Sequence, residues 1–152
     1  MNASDLIAEF AQRAGVPQLQ LSREGTASLV IDGRTTVNLE HDAVSRRLFA
    51  YVSLGEPPAA DREDYYARLL GANLFGHGTG GGTIGLDPAG NEVLLSLVLD
   101  LDLVDYTAFE AALESLVDAA ERLAGALASA APAPMVADAG YPDPRLAAML
   151  RA

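Results

Sequence analysis

The chain of 152 residues contains no cysteine and no tryptophan, and its ten basic residues are all arginine. Without cysteine there is no disulfide, no thiol nucleophile and no thiolate metal site. Without lysine there is no Walker A lysine, no Schiff base and no Ser–Lys dyad. Histidine is reduced to His41 and His77, whose spacing resembles no zinc motif, so no metal or other cofactor is expected. Positive charge is short as well: 21 acidic residues leave a net charge of −11. A nucleic-acid binder needs a basic face to displace counterions, so that class is disfavoured. No apolar run approaches the roughly 20 residues that cross a bilayer. The N-terminal stretch carries Asp5 and Glu9 where a signal peptide would be basic, so a cytoplasmic protein without membrane insertion is expected.

What is present is a half-hydrophobic chain, enough for one core. Residues 1–129 read as one domain, and residues 130–152 as a Pro/Ala-rich tail with a candidate short helix over 143–151 (Leu146, Met149, Leu150). Ser4 is a candidate N-cap for a first helix bearing Leu6, Ile7, Phe10 and Ala14, ended by Gly15 and Pro17. Residues 28–31 and 35–39 flank Asp32-Gly33-Arg34, a hairpin signal. A third strand is predicted over 46–54, with Leu48, Ala50 and Val52 on one face. Residues 61–70 predict a helix with acids in its first turn. Strands over 83–86 and 92–101 flank the turn Asp87-Pro88-Ala89-Gly90. In the second of these, Val93, Leu95, Leu97, Leu99 and Leu101 form one apolar face and the other face is mixed, which suggests partial cover. Residues 105–127 predict the longest helix, with Tyr106, Phe109, Leu113, Leu116, Val117, Ala120, Leu123 and Leu127 at three- and four-residue steps. The order α-β-β-β-α-β-β-α predicts an α+β fold with a mainly antiparallel, twisted sheet packed with helices.

The feature that calls for a decision is the glycine-rich run of residues 69–87, LLGANLFGHGTGGGTIGLD. Gly76, Gly78 and Gly81 satisfy G-x-G-x-x-G. A dinucleotide loop follows a strand and opens a helix, whereas this run follows a predicted helix and enters a predicted strand. A crowded helix-to-strand crossing, one suited to a subunit contact, fits it better. His41-Asp42 with Ser45 nearby lacks a nucleophile elbow and reads as a strand-end turn. His77 has no evident carboxylate partner. Asp100 and Asp102 read as solvated charge at the end of a strand, and Asp105 as a helix N-cap.

The run LL-x-A-N-L-F-G-x-G-T-G-G-G-x-I-G-L-D-x-x-G over residues 69–90 resembles the signature of the class I type III secretion chaperones, the Tir chaperone family. A second block, with Asp105-Tyr106, Phe109-Glu110, Leu113-Glu114, Val117 and Ala120-Glu121, resembles the segment that follows in that family. The resemblance implies a cytoplasmic, ATP-independent homodimer that holds the N-terminal region of one or more secreted effector proteins in extended form, with the secretion ATPase as a further partner. It implies a dimer interface of Tyr65, Tyr66, Leu69, Leu70, Leu74, Phe75, Thr83, Ile84 and Leu86, and effector contacts from Leu6, Ile7, Phe10, Leu29, Ile31, Val37 and Leu39. No catalytic residue is expected. Two other readings stay open at this point: a small-molecule, nucleotide-binding or hydrolytic enzyme using the loop from Gly76 to Gly85 and His77, and a structural adaptor of the secretion apparatus.

Overall fold

Alternating apolar residues build the first half of the sheet, and the computed structural model, which describes residues 2–129, shows how. β1 (Thr26–Ile31), β2 (Thr35–Asp42) and β3 (Arg47–Gly55) form an antiparallel meander. Its first turn puts both Asp32 and Gly33 at positive φ and is closed by the Arg34 N–H donating to the Ile31 carbonyl at 3.1 Å, the backbone that a type I′ hairpin needs. β4 (Thr83–Asp87) and β5 (Glu92–Asp100) pair through the predicted reverse turn. β5 inserts between β3 and β4, giving one five-stranded antiparallel sheet in the order β1-β2-β3-β5-β4. β1 and β4 are therefore the two edges.

α1 (Ala3–Arg13), α2 (Arg62–Asn73) and α3 (Tyr106–Ala128) complete the α-β-β-β-α-β-β-α order. α3 starts at the expected cap, where Asp105 Oδ1 accepts the Ala108 N–H at 2.8 Å. Its stripe from Tyr106 to Leu123 is buried over Leu48, Ala50, Val52, Val93 and Leu95 of the sheet. Burial of a single such side chain is worth about 1.5–3 kcal/mol, so this layer dominates the fold's stability. α1 begins two residues earlier than the sequence suggests. Asn2, not Ser4, is the cap, with its Oδ1 accepting the Asp5 N–H at 2.8 Å. α1 rests on α3: the Phe10 ring meets Phe109 edge-on at 5.6 Å, and the Arg13 guanidinium lies 4.1 Å over the Tyr106 ring.

α2 runs on to Asn73, three residues beyond its predicted end. Of its residues only Leu69 is buried, so it leans against β4 and presents its remaining sides outward. The opposite sheet face carries Val30, Asn38, Phe49, Tyr51, Leu94, Ser96 and Val98, and none of these is buried. The segment 130–152, with its candidate short helix, lies outside the described residues.

Candidate functional site

The glycine run proves to be a crossing that is full of protein. After α2 the chain makes one tight turn over Leu74–Gly76, then folds back so that the Gly78 N–H donates to the Ala72 carbonyl at 3.1 Å. Thr79 is completely buried, and its hydroxyl donates to the Gly82 carbonyl at 2.6 Å. A Cβ at Gly80, which sits at φ +60°, would lie 2.8 Å from the Ser115 carbonyl oxygen of α3. One at Gly82 would lie 2.8 Å from the Ser96 carbonyl oxygen of β5. The loop is thus threaded between two elements at distances that only glycine allows. A phosphate loop must also offer free N–H groups. Here those of Thr79 and Gly81 donate to Gly76, and that of Gly82 to Thr79. The loop has the motif of a nucleotide site and the hydrogen bonding of a closed turn.

The other candidate chemistry dissolves similarly. His41 and Asp42 are consecutive in β2 and project to opposite faces. Ser45 Oγ donates directly to Asp42 Oδ2 at 2.6 Å, with no histidine between them. That bond, with the N–H groups of Ser45 and Val44, holds the Asp42 carboxyl below its ordinary pKa and ties the β2–β3 turn. Asp102 accepts from the Arg46 guanidinium at 2.6 Å, which lowers the Asp102 pKa and joins that turn to the loop before α3. Among the described residues no cluster of His, Asp and Glu can hold a metal ion, and no helix is long and apolar enough to cross a membrane.

What the protomer does offer is apolar surface. Tyr66, Leu69, Leu70 and Asn73 of α2, Ile84, Gly85 and Leu86 of β4, and Val93 of β5 line a shallow depression of about 340 Å³. Leu70 is 70% exposed, Leu86 47% and Leu74 47%. Phe75 is 80% exposed and held at φ 57°, a conformation a bulky residue adopts only under constraint, with His77 edge-on to its ring. Tyr65 and Tyr66 are half-buried and meet at 5.7 Å; burial pushes the Tyr65 phenol pKa up. Leu69 and Ile84 are buried beneath this surface, and Thr83 is exposed on the opposite face of β4. Of the nine residues expected at a dimer contact, Tyr66, Leu69, Leu70, Ile84 and Leu86 line this depression, and Tyr65, Leu74, Phe75 and Thr83 lie outside its lining.

The seven expected effector contacts separate. Leu6, Ile7, Phe10, Val37 and Leu39 are buried in the core formed by α1, α3 and the sheet. In the protomer those five are closed to a partner, because the helices already cover that face. Leu29 and Ile31 share the same face but sit on edge strand β1, where they are only partly covered, while Val30 on the other face is 57% exposed. Sequence reasoning missed two features. Val30, Phe49 and Val98 lie on the uncovered sheet face, which the mixed pattern of β5 hinted was partly covered. The Asn73 side chain bonds the backbone of Ile84 in both directions, at 2.7 and 3.0 Å, a partnership eleven residues apart that no local pattern announces.

Against this geometry stand the comparisons with known proteins. The profile of the Tir chaperone protein (CesT) family matches residues 5–124. A Chlamydia pneumoniae protein is 36% identical over 92 residues, covering 59% of this chain and 70% of that protein. A chain of the ExsC–ExsE complex superposes with a TM-score of 0.71 at 28% identity, covering 86% of this chain and all of that one. A chain of the complex between the Yersinia pestis type III secretion chaperone SycH and a stable fragment of YscM2 superposes with a TM-score of 0.62 at 27% identity, covering 79% of this chain and 98% of that one.

Proposed function

The chain belongs to the Tir chaperone protein (CesT) family, a type III secretion chaperone that binds effectors and is no enzyme, and from that premise we propose how it holds its client. Two copies associate through the α2–β4 surface, and the dimer keeps the N-terminal region of one or more effectors extended in the cytoplasm until export. No ATP is consumed in this holding step, and the secretion ATPase receives the loaded complex. The observation that carries the reading is the exposed apolar surface of Leu70, Leu74, Phe75 and Leu86 on a chain with a net charge of −11. Large apolar side chains left exposed on one side of a protein with so strong a net charge mark a contact with another chain.

The client surface narrows to the β1 edge. Among the described residues β1 pairs with β2 alone, which leaves its outer side for an added strand, and Leu29, Val30 and Ile31 flank it on both faces. An extended segment bound there gains main-chain hydrogen bonds and pockets for alternate side chains. The surrounding acidity favours a basic or neutral segment.

The test is capture of the native client, followed by limited proteolysis of the complex. The expected result is a protected fragment from the client's N-terminal region, bound equally with and without ATP. A protected fragment from a folded C-terminal domain, or release on removing ATP, overturns the reading.

A further inference from the structure

β4 is an edge strand, yet its edge is not free. Ile84 stands opposite Leu95 in the β4–β5 ladder. Its N–H donates to Asn73 Oδ1 at 2.7 Å, and its carbonyl accepts from Asn73 Nδ2 at 3.0 Å. In an antiparallel ladder, alternate residues turn both main-chain groups away from the neighbouring strand, and Ile84 is one of these. The Asn73 carboxamide therefore stands where the peptide of a sixth strand would stand. It is suited to the place, since it presents one donor face and one acceptor in a plane, as a peptide does. The outward positions of this edge recur every second residue: Ile84, Leu86, and then Pro88 in the turn. Proline has no N–H to donate. With Ile84 occupied and Pro88 lacking a donor, only Leu86 could begin a ladder.

We propose that Asn73 closes the β4 edge to strand addition, so that the apolar face beside it accepts a second copy of this chain through side-chain packing and not by sheet continuation. The inference rests on the dimer proposed above. It also gives the two sheet edges different roles, with β4 sealed beside the self-contact and β1 left open. A bare edge next to Leu70 and Leu86 would combine unpaired backbone with exposed apolar side chains, the combination that drives open-ended edge-to-edge association.

Asn73→Ala tests this, with light scattering for mass and amide exchange resolved at Ile84. Expected are at least about tenfold faster exchange at Ile84 and growth of species larger than the wild-type assembly as concentration rises. Unchanged exchange at Ile84 overturns the proposal. So does faster exchange with no change in mass, because the uncovered edge then recruits nothing. Should Asn73→Ala not fold, Asn73→Asp is read in the same way for mass, since it sets a carboxylate against the Ile84 carbonyl while keeping an acceptor for the N–H. A monomeric wild type would remove the dimer reading, yet the exchange and mass comparison would still decide whether Asn73 guards the edge.

Discussion

Replacing Leu70 by Asp is the most direct probe of the α2–β4 surface. Leu70 is 70% exposed in the protomer, so the fold owes it little, and an exposed helix position tolerates Asp at a few tenths of a kcal/mol. Full burial of a leucine side chain is worth about 1.5–3 kcal/mol, so covering the exposed part contributes roughly 1–2 kcal/mol per copy. A two-fold contact uses the same patch on both protomers, which doubles the loss to about 2–4 kcal/mol. That corresponds to a dimer dissociation constant raised roughly 30- to 1,000-fold, before the added cost of desolvating a carboxylate. Ile84→Asp is the poorer probe: Ile84 is only 8% exposed, so a carboxylate there attacks the core itself. The matched control is Leu103→Asp, 85% exposed in the loop before α3 and outside the depression. Sedimentation over a dilution series should show Leu70→Asp as monomer where wild type and Leu103→Asp remain dimeric, with native circular dichroism spectra alike for all three. An unchanged dissociation constant for Leu70→Asp would refute the interface.

The glycine crossing makes a paired prediction. Gly80→Ala places Cβ 2.8 Å from a backbone oxygen at φ +60° and should destabilise by about 2–4 kcal/mol, while Gly85→Ala, with nothing within 4 Å, should lie within about 1 kcal/mol of wild type; thermal melts that rank them equally would contradict the crowded-crossing account. A pH dependence follows from Asp102, whose folded pKa lies below its ordinary 3.8 because Arg46 donates to it. Its contribution is full above pH 3.8 and is lost as pH falls through the lower folded value, so the melting difference between wild type and Asp102→Asn should shrink on acidification; a difference that stays constant into strong acid would exclude the pairing as its source.

Periodicity made much of the fold legible. The alternation of β5 and the stripe of α3 each state which residues share a face, and both faces are where the sequence put them. Periodicity does not state what covers a face. Leu29 and Val37 stand opposite one another on the same side of the sheet, yet one is only partly covered and the other buried. The difference comes from strand order: β1 is an edge and β2 is not. That order depends on β5 inserting beside β3, a long-range choice with no local signature. Leu69 and Leu70 pose the same problem within one helix, adjacent leucines of which one is core and the other surface.

The residues that resemble the chaperone signature divide by physical role, and the division explains why they come as one run. Leu69 and Ile84 fix α2 to β4 from inside, and the glycines of the crossing let the intervening chain pass between α3 and β5. Thr79 closes that crossing by bonding the Gly82 carbonyl. Leu70, Phe75 and Leu86 then stand exposed on the surface so assembled, with Asn73 bonded along the edge between them. A helix, a fixed turn and a short strand must be held in one geometry for Leu70 and Leu86 to line the same depression, and contiguous sequence is the shortest way to specify all three. A ligand loop would need its N–H groups turned outward, whereas those of Thr79, Gly81 and Gly82 bond carbonyls of the loop itself. The motif's product is therefore a surface, and a substitution that loosens the crossing, such as Gly80→Ala, should weaken self-association even where the protomer still folds.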